Sequence, residues 1–137
     1  MQDRFKVRLY DKAIGEMAYD VCVGFIKDSG KTDDWVCADT SCGQITYRDD
    51  KLKDIVLMQC TGVKDKNGKL IYECDILRNT LTNKYASVAW HGTGAGYVWS
   101  KTIPNSYLYE FGALFRAFGK YEVVGNIYEN PELLEQL

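Results

Sequence analysis

Short runs of alternating apolar and polar residues, separated by turn residues roughly every ten positions, constrain this chain more than any other feature of its sequence. The period is two in Phe5–Tyr10 and again in Met17–Phe25, as in half-buried β-strands. Further strand-like runs are Ile55–Cys60, Leu70–Leu77, Tyr85–Trp90, Gly96–Thr102 and Tyr121–Tyr128. Because strands dominate and a short polar link joins the first two runs, we predict a mainly β chain that begins with a β-hairpin.

Local signals mark the ends of several predicted elements. Asn67-Gly68 lies between two strand runs, and both residues tolerate positive φ, so the pair predicts a type I′ hairpin turn. Asn130 as a cap and Pro131 at the first helical position predict a short last helix. A second helix is predicted where four apolar residues are spaced so that they share one helical face. They are Leu108, Phe111, Phe115 and Phe118.

The length of 137 residues suits a single domain. We divide it into an N-terminal lobe over about residues 1–53 and a core barrel over about residues 54–137. Within the lobe, Asp28–Asp54 is rich in turn residues, and two short candidate strands lie around Trp35–Cys37 and Gln44–Tyr47. We expect this segment to be an insertion or a variable lobe.

The charge balance excludes one class of function. Seventeen Lys and Arg residues stand against 19 Asp and Glu, which gives a net charge of −2, and neither half of the chain is polarised. A histone-like or polybasic mode of binding is therefore excluded, while a small basic patch is not.

The start of the chain alternates charged and apolar residues and lacks the apolar run of a signal peptide. No window approaches the ~18 apolar residues that span a bilayer. The five cysteines are odd in number and show no tight spacing, so we expect free, buried thiols and a cytoplasmic protein. They are Cys22, Cys37, Cys42, Cys60 and Cys74.

Cysteine and histidine offer two candidate reactive sites. Cys37 and Cys42, with Asp39 between them, could hold half of a zinc site, but a structural site needs a second pair that the spacing does not supply. His91 with a cysteine could form a nucleophile and its base. A lone histidine at a strand end beside glycine is more often a turn residue, and we favour that interpretation.

Two further patterns have simpler explanations. Gly92-x-Gly94-x-Gly96 could approach a phosphate, but strand residues follow it where a dinucleotide site needs a helix, so we expect a hairpin connection. Glu73 and Asp75 fall on the same face of one predicted strand, where they could bind a divalent ion or form a solvated face. We favour a solvated face or an Asp that caps a turn over an ion site. The sequence thus predicts no catalytic, cofactor-binding or metal-binding residue.

Aromatic and basic residues suggest an interaction surface instead. Aromatic residues make up 13% of the chain, and several fall on the strands of the predicted barrel, where rings could stack on bases or contact a protein. Lysines surround the Asn67-Gly68 turn and give it a small positive tip. The candidate surface residues are Tyr72, Tyr97, Trp99, Lys64, Lys66 and Lys69.

Three segments carry a resemblance to a known family. Met58–Leu77 is MQCTGVKDKNGKLIYECDIL, Glu122–Leu134 is EVVGNIYENPELL, and the chain opens with Arg4–Lys12, RFKVRLYDK. In this order they resemble the signature segments of the YopX family of phage and prophage proteins, so the resemblance spans the chain. Cys74 stands where the family usually has Gly, and Tyr10 where it tends to have Trp. If residue 74 has positive φ, cysteine costs about 1 kcal/mol there.

The resemblance implies a phage or prophage protein of the bacterial cytoplasm with a largely β fold. Tyr72–Leu77 and Val88–Trp90 also resemble the opening of SH3-like barrels, so we predict a small bent sheet or an SH3-like, partly open barrel. The family implies no activity. We therefore predict a non-enzymatic module without a cofactor or a membrane, which binds a host or phage protein and can form a homo-oligomer. A nucleic-acid-binding small barrel is the alternative, and an enzyme that uses His91 is a third hypothesis.

Overall fold

A computed structural model describes residues 5–28, 31–91, 96–100, 111–113 and 120–136. The chain is mainly β, as predicted, and it packs into two compact units. One unit is Lys6–Gln59, and the other comprises the residues from Cys60 onward together with Phe5. In the described ranges, no helix has the length and apolar content needed to cross a bilayer. The division into a lobe over residues 1–53 and a barrel over residues 54–137 stays a prediction.

The first unit contains five complete strands and the first half of a sixth. They are β1 (Val7–Asp11), β2 (Glu16–Ala18), β3 (Val21–Asp28), β4 (Lys31–Thr40), β5 (Gly43–Tyr47) and β6 (Ile55–Lys64, of which Ile55–Gln59 lies in this unit). Strand β1 pairs antiparallel with β2 and with β6, and β3, β4 and β5 form an antiparallel three-stranded sheet. The candidate strands around Trp35–Cys37 and Gln44–Tyr47 are therefore confirmed within β4 and β5.

The N-terminal hairpin is confirmed, but its second strand is shorter than predicted. Tyr10 pairs with Met17 across β1 and β2. Strand β2 ends at Ala18, and β3 begins at Val21 and pairs with β4 instead. The alternation in Met17–Phe25 continues through this break. Periodicity alone therefore predicts one long strand, although the chain forms two strands that pair with different neighbours.

The core of the first unit forms between its strands. Five side chains are almost completely excluded from solvent, and they pack together as one apolar cluster. They are Leu9, Ala18, Val36, Ala38 and Tyr47. A 3₁₀ helix over Asp49–Asp54 follows β5 and leads into β6, and its Leu52 packs against the cluster. The apolar residues that alternation places on one strand face are thus the ones that form this core.

The second unit contains the rest of β6 and six further strands. They are β7 (Leu70–Tyr72), β8 (Asp75–Asn79), β9 (Tyr85–His91), β10 (Gly96–Ser100), β11 (Phe111–Ala113) and β12 (Tyr121–Asn126), followed by a 3₁₀ helix over Pro131–Gln136. The second half of β6 pairs with β7, and the other five strands form an antiparallel sheet in the order β11-β10-β9-β8-β12. A bulge between Val123 and Gly125 interrupts the register with β8, and bulges bend strands. In the described residues this sheet is open, with β11 and β12 at its ends.

The two predicted C-terminal helices have different outcomes. The last one forms at Pro131 as expected, as a 3₁₀ helix, and the N–H of Leu133 donates to the carbonyl of Asn130 at 3.0 Å. The other prediction is wrong at Phe111, which begins strand β11, with Gly112 opposite Trp99 of β10. The other three residues of that predicted face, Leu108, Phe115 and Phe118, lie outside the described residues. The helical spacing of four residues carries no information about the pairing of Phe111–Ala113 with β10.

Two turns in the second unit depart from expectation. Gly68 has a φ of 84°, but Asn67 does not share the positive φ that a type I′ turn requires, so that turn type is wrong. The strand predicted over Leu70–Leu77 is broken after Tyr72, and Cys74 has a φ of 67°. A left-handed cysteine costs about 1 kcal/mol relative to glycine. The family's usual Gly fits this position because glycine adopts positive φ without strain.

Candidate interaction surface

The connection between β6 and β7 is organised by one buried carboxylate. Asp65 is only 5% exposed, and its Oδ1 accepts the N–H groups of Asn67 at 2.9 Å and Lys69 at 2.8 Å. The main chain closes the same loop, since the N–H of Asp65 donates to the carbonyl of Lys69 and that of Gly68 donates to the carbonyl of Asp65. The result is a three-residue hairpin loop that ends in a left-handed glycine.

This loop is also bonded to β12. The Oδ2 atom of Asp65 accepts the N–H of Val123 at 2.9 Å, and the N–H of Lys66 donates to the carbonyl of Tyr121 at 3.0 Å. An edge strand normally leaves such groups to solvent, and a loop that covers them is one way of protecting the edge. The hairpin loop is therefore fixed in place by bonds on both of its sides.

The three lysines predicted at this turn are exposed around the fixed loop, and a fourth lies beside them. Lys64, Lys66 and Lys69 are all exposed. Exposed Lys120 directly precedes Tyr121, whose carbonyl accepts the N–H of Lys66, so the main chain of Lys120 lies next to the loop. We call Lys64, Lys66, Lys69 and Lys120 the lysine cluster. Lys120 could not be predicted as part of this set from the sequence, because only the hydrogen bonds between the loop and β12 bring its main chain close to the loop.

Glu122, which follows Tyr121 on β12, is an acidic residue that is already paired with an arginine. Glu122 forms an ion pair with Arg78 across β12 and β8, where the two residues are opposite each other in the register. The hydrogen bond to Glu122, and after it the charge of Glu122, raise the pKa of the Arg78 guanidinium. The carboxylate of Glu122 is thus paired with Arg78.

The aromatic residues proposed for the surface are placed differently from the lysines. Tyr72 is 7% exposed, and its N–H donates to Oδ2 of buried Asp75 at 2.8 Å, so Tyr72 belongs to the core and to the turn between β7 and β8. Tyr97 and Trp99 lie on β10 opposite Trp90 and Val88, and their side chains lie outside the described residues. In the same unit, Trp90 is 53% exposed.

The structure also locates the other residues considered as reactive or ligand-binding candidates. Gly96 opens β10 opposite His91, so the glycine-rich segment joins two antiparallel strands, as predicted. The side chain of His91 and residues 92–95 lie outside the described residues. Asp75 is 1% exposed, so it does not lie on a solvated face. The chain turns between β7 and β8, and Oδ2 of Asp75 accepts the N–H of Tyr72 there, which confirms the alternative of an Asp that caps a turn. Among the described residues, no three His, Cys, Asp or Glu side chains form a group that could hold a metal ion.

The cysteines are free thiols, as expected, but only some are buried. Cys60 is buried, whereas Cys22 and Cys42 are exposed and Cys37 and Cys74 are half-buried. Cys37 lies on β4, and Cys42 lies in the turn before β5. The expectation that these thiols belong to the core is wrong for Cys22 and Cys42, because alternation sets Cys22 on the outer face of its strand and Cys42 follows the end of β4.

A buried phenol makes the first unit sensitive to alkali. The hydroxyl of Tyr47 donates to Oδ2 of Asp11 at 2.7 Å, and both side chains are buried. Burial, and after it the Asp11 carboxylate, raise the pKa of the Tyr47 phenol well above its usual range. The protonated phenol is thus favoured by the folded state, and stability is lost as the pH rises past the pKa of an unfolded tyrosine, near 10.

We expect Tyr47→Phe to remove this alkaline loss. At pH 8 the variant should unfold about 1–2 kcal/mol more easily, because Asp11 loses a buried donor. Above about pH 10 the difference in the free energy of unfolding between wild type and variant should shrink by ~1.4 kcal/mol per pH unit. The reason is that only the wild type has a phenol at this position that ionises on unfolding. Urea titrations across this pH range measure both effects. Tyr19→Phe, at an exposed tyrosine, is the matched control, and an unchanged gap at high pH would contradict the assignment.

The sequence model of the YopX family, described as YopX protein, matches residues 6–135. The chain belongs to the YopX family. This YopX-family chain is also similar to the crystal structure of protein EF1440 from Enterococcus faecalis, with 26% identity, a TM-score of 0.59, and coverage of 94% of this chain and 96% of that one. The X-ray structure of protein yopX from Bacillus subtilis shares the fold at 21% identity, with a TM-score of 0.57 and coverage of 96% and 97%. A search of the curated proteins finds no match.

The two long segments that resemble the YopX family bind each other in this fold. The segment Met58–Leu77 contains the hairpin loop around Asp65 and Cys74, and Glu122–Leu134 contains β12 except its first residue, together with the turn after it. Asp65 accepts from Val123, as described above, and the carbonyl of Cys74 accepts the N–H of Ile127 at 3.0 Å. These two segments are therefore bonded to each other within the second unit, to which the lysine cluster also belongs.

Proposed function

We propose that this YopX-family protein is a non-catalytic binding module whose lysine cluster docks an acidic segment of a host or phage protein. The observation that carries the proposal is the fixed hairpin loop, which presents Lys64, Lys66 and Lys69 from a backbone bonded to β12. A preorganised surface loses less entropy when it binds, and positive charge steers an acidic partner towards it. The proposal keeps the phage or prophage origin and the cytoplasmic location that the family resemblance implies.

Charge and exposed apolar side chains favour a protein partner over nucleic acid. The chain carries a net charge of −2, whereas nucleic-acid-binding domains commonly have a strongly basic face. Three or four phosphate contacts give weak, salt-sensitive affinity. The unit that holds the lysine cluster also exposes Trp90 by 53% and Leu81 by 80%, and tryptophan is enriched among residues that dominate protein interfaces.

The test measures fluorescence anisotropy of a labelled oligoglutamate peptide at about 50 mM salt, where charge contacts are strongest. We expect the wild type to bind this peptide more tightly than a labelled single-stranded oligonucleotide of equal charge. The triple variant K64E/K66E/K69E should lose about tenfold or more in affinity for the peptide, because each exposed charge pair contributes up to ~1 kcal/mol. Lys120→Glu alone should weaken binding in the same direction.

The matched control is K12E/K53E/K84E, which changes three exposed lysines elsewhere and alters the net charge equally. It should keep most of the wild-type affinity for the peptide. Equal losses in both triple variants would overturn the proposal, because the effect would then reflect net charge. Absence of peptide binding by the wild type would overturn it too, and tighter binding of the oligonucleotide would replace it with the nucleic-acid alternative.

A further inference from the structure

Two cysteines face each other across the sheet of the first unit. Cys22 of β3 is the register partner of Cys37 of β4. Residues directly opposite in an antiparallel pair point to the same face, and their Cβ atoms lie about 4.5–5.5 Å apart. Both thiols are free, Cys22 is exposed and Cys37 is half-buried. Cys42 is also exposed, but it lies in the turn after β4 and has no cysteine opposite.

The hydrogen-bond ladder determines which kind of pair this is. The N–H of Asp39 donates to the carbonyl of Asp20 at 3.1 Å. Because bonded and non-bonded pairs alternate along an antiparallel ladder, Cys22 and Cys37, two positions further, form a bonded pair with Cα atoms about 5.5 Å apart. That separation lies within the range found in disulfides. The Cβ separation of a bonded pair is at the wide end, so closing the bridge introduces strain, and strained, exposed disulfides are the easily reduced ones.

The neighbouring side chains hold one of the two sulfurs in place. The hydroxyl of Thr46 on β5 donates to Sγ of Cys37 at 3.8 Å. Trp35, two residues before Cys37, lies against Gly24, where a Cβ would come within 2.2 Å of the indole ring. The side chains of Trp35 and Thr46 thus flank Cys37 on β4 and β5, while Cys22 is exposed on β3 to a thiol reagent.

We propose that Cys22 and Cys37 are a redox modification site that closes a reversible disulfide between β3 and β4 with a low-molecular-weight disulfide as oxidant. With glutathione disulfide, the Cys22 thiol loses its proton to solvent and its sulfur attacks one glutathione sulfur, which breaks the glutathione S–S bond and releases one glutathione thiolate. The Cys37 thiol then loses its proton, its sulfur attacks Sγ of Cys22, and the second glutathione leaves. The two cysteines give up two electrons and the glutathione disulfide takes them up.

The experiment incubates the folded protein in buffers of rising glutathione disulfide to glutathione ratio and follows intact mass and peptide maps. We expect a product that has lost two hydrogens, with a Cys22–Cys37 linkage, and its full reversal by excess glutathione. Cys42→Ser should leave this product unchanged. In Cys37→Ser the reaction should stop at a glutathione adduct on Cys22, as expected if Cys22 attacks glutathione disulfide first and Cys37 is the resolving thiol.

Other outcomes would overturn the inference. A wild-type protein that keeps a stable glutathione adduct on Cys22, that links Cys22 to Cys42, or that forms only disulfides between two chains would show that the opposed pair does not close. So would an unchanged mass under conditions that modify Cys22 in Cys37→Ser. Circular dichroism of each sample shows that the reacting protein is folded.

Discussion

Replacing Asp65 with alanine is expected to lower the free energy of unfolding by about 3 kcal/mol or more. The substitution removes the acceptor of three main-chain N–H groups, those of Asn67, Lys69 and Val123. A buried donor that loses its partner costs about 1–3 kcal/mol, and solvent reaches the two in the loop more easily than the one on β12. Denaturant titration monitored by circular dichroism measures the loss.

A graded series separates the role of the carboxylate from a loss of charge. Asp65→Asn keeps one oxygen but sets an amide donor against another N–H group, so we expect a loss between those of wild type and alanine. Asp39→Ala, at an exposed aspartate, is the matched control and should stay within ~0.5 kcal/mol of wild type. If Asp65→Ala behaved like Asp39→Ala, the loop would not depend on this carboxylate, and the main support for the binding proposal would be lost.

Gly125→Ala is expected to cost about 2–3 kcal/mol. A Cβ at Gly125 would lie 2.4 Å from Oδ1 and 2.7 Å from Cγ of Asn130. The Asn130 side chain cannot move away without loss, because its Oδ1 accepts the N–H of Asn126 at 3.2 Å. Overpacking of this kind costs 1–3 kcal/mol, and here a hydrogen bond that positions the last turn is lost as well. Thermal or denaturant unfolding gives the value.

A double-mutant cycle tests whether the contact with Asn130 is the cause. In the Asn130→Ala background the clashing Oδ1 and Cγ atoms are absent, so Gly125→Ala should cost at least 1 kcal/mol less there than in wild type. Gly125 does not have a positive φ, so its substitution brings no left-handed backbone strain that could account for the cost. Equal costs of Gly125→Ala in both backgrounds would rule out the contact as the cause.

The sequence predicts those features of the fold that depend on residues close together in the chain. Alternation locates β1, turn residues delimit the short candidate strands within β4 and β5, and Pro131 marks the last helix, because these signals arise within a few residues. Alternation also runs through the end of β2 without a change, so it does not show that the chain turns there to a new partner. The prediction for Phe111 is wrong for a related reason: helical spacing among nearby residues does not indicate that this segment pairs with β10.

The candidate surface is predictable only in part. A turn signal flanked by lysines indicates that Lys64, Lys66 and Lys69 are exposed, and the structure shows that they are. Nothing in the spacing indicates that Asp65 is buried or that its Oδ2 binds Val123, because that contact joins residues far apart in the chain. Lys120 is missed for the same reason. The exposure of the lysines can therefore be predicted from nearby residues, whereas the bonds that fix their loop to β12 depend on the tertiary fold.

The covering of β12 by the Asp65 loop also has a consequence for solubility. A strand whose outer N–H and C=O groups are free can recruit the same strand of another molecule and start amyloid-like stacking. Here the groups at Tyr121 and Val123 are occupied by the loop. A chain that loses the Asp65 carboxylate therefore uncovers a template for self-recruitment, and its first sign of damage in a cell would be deposition in inclusion bodies.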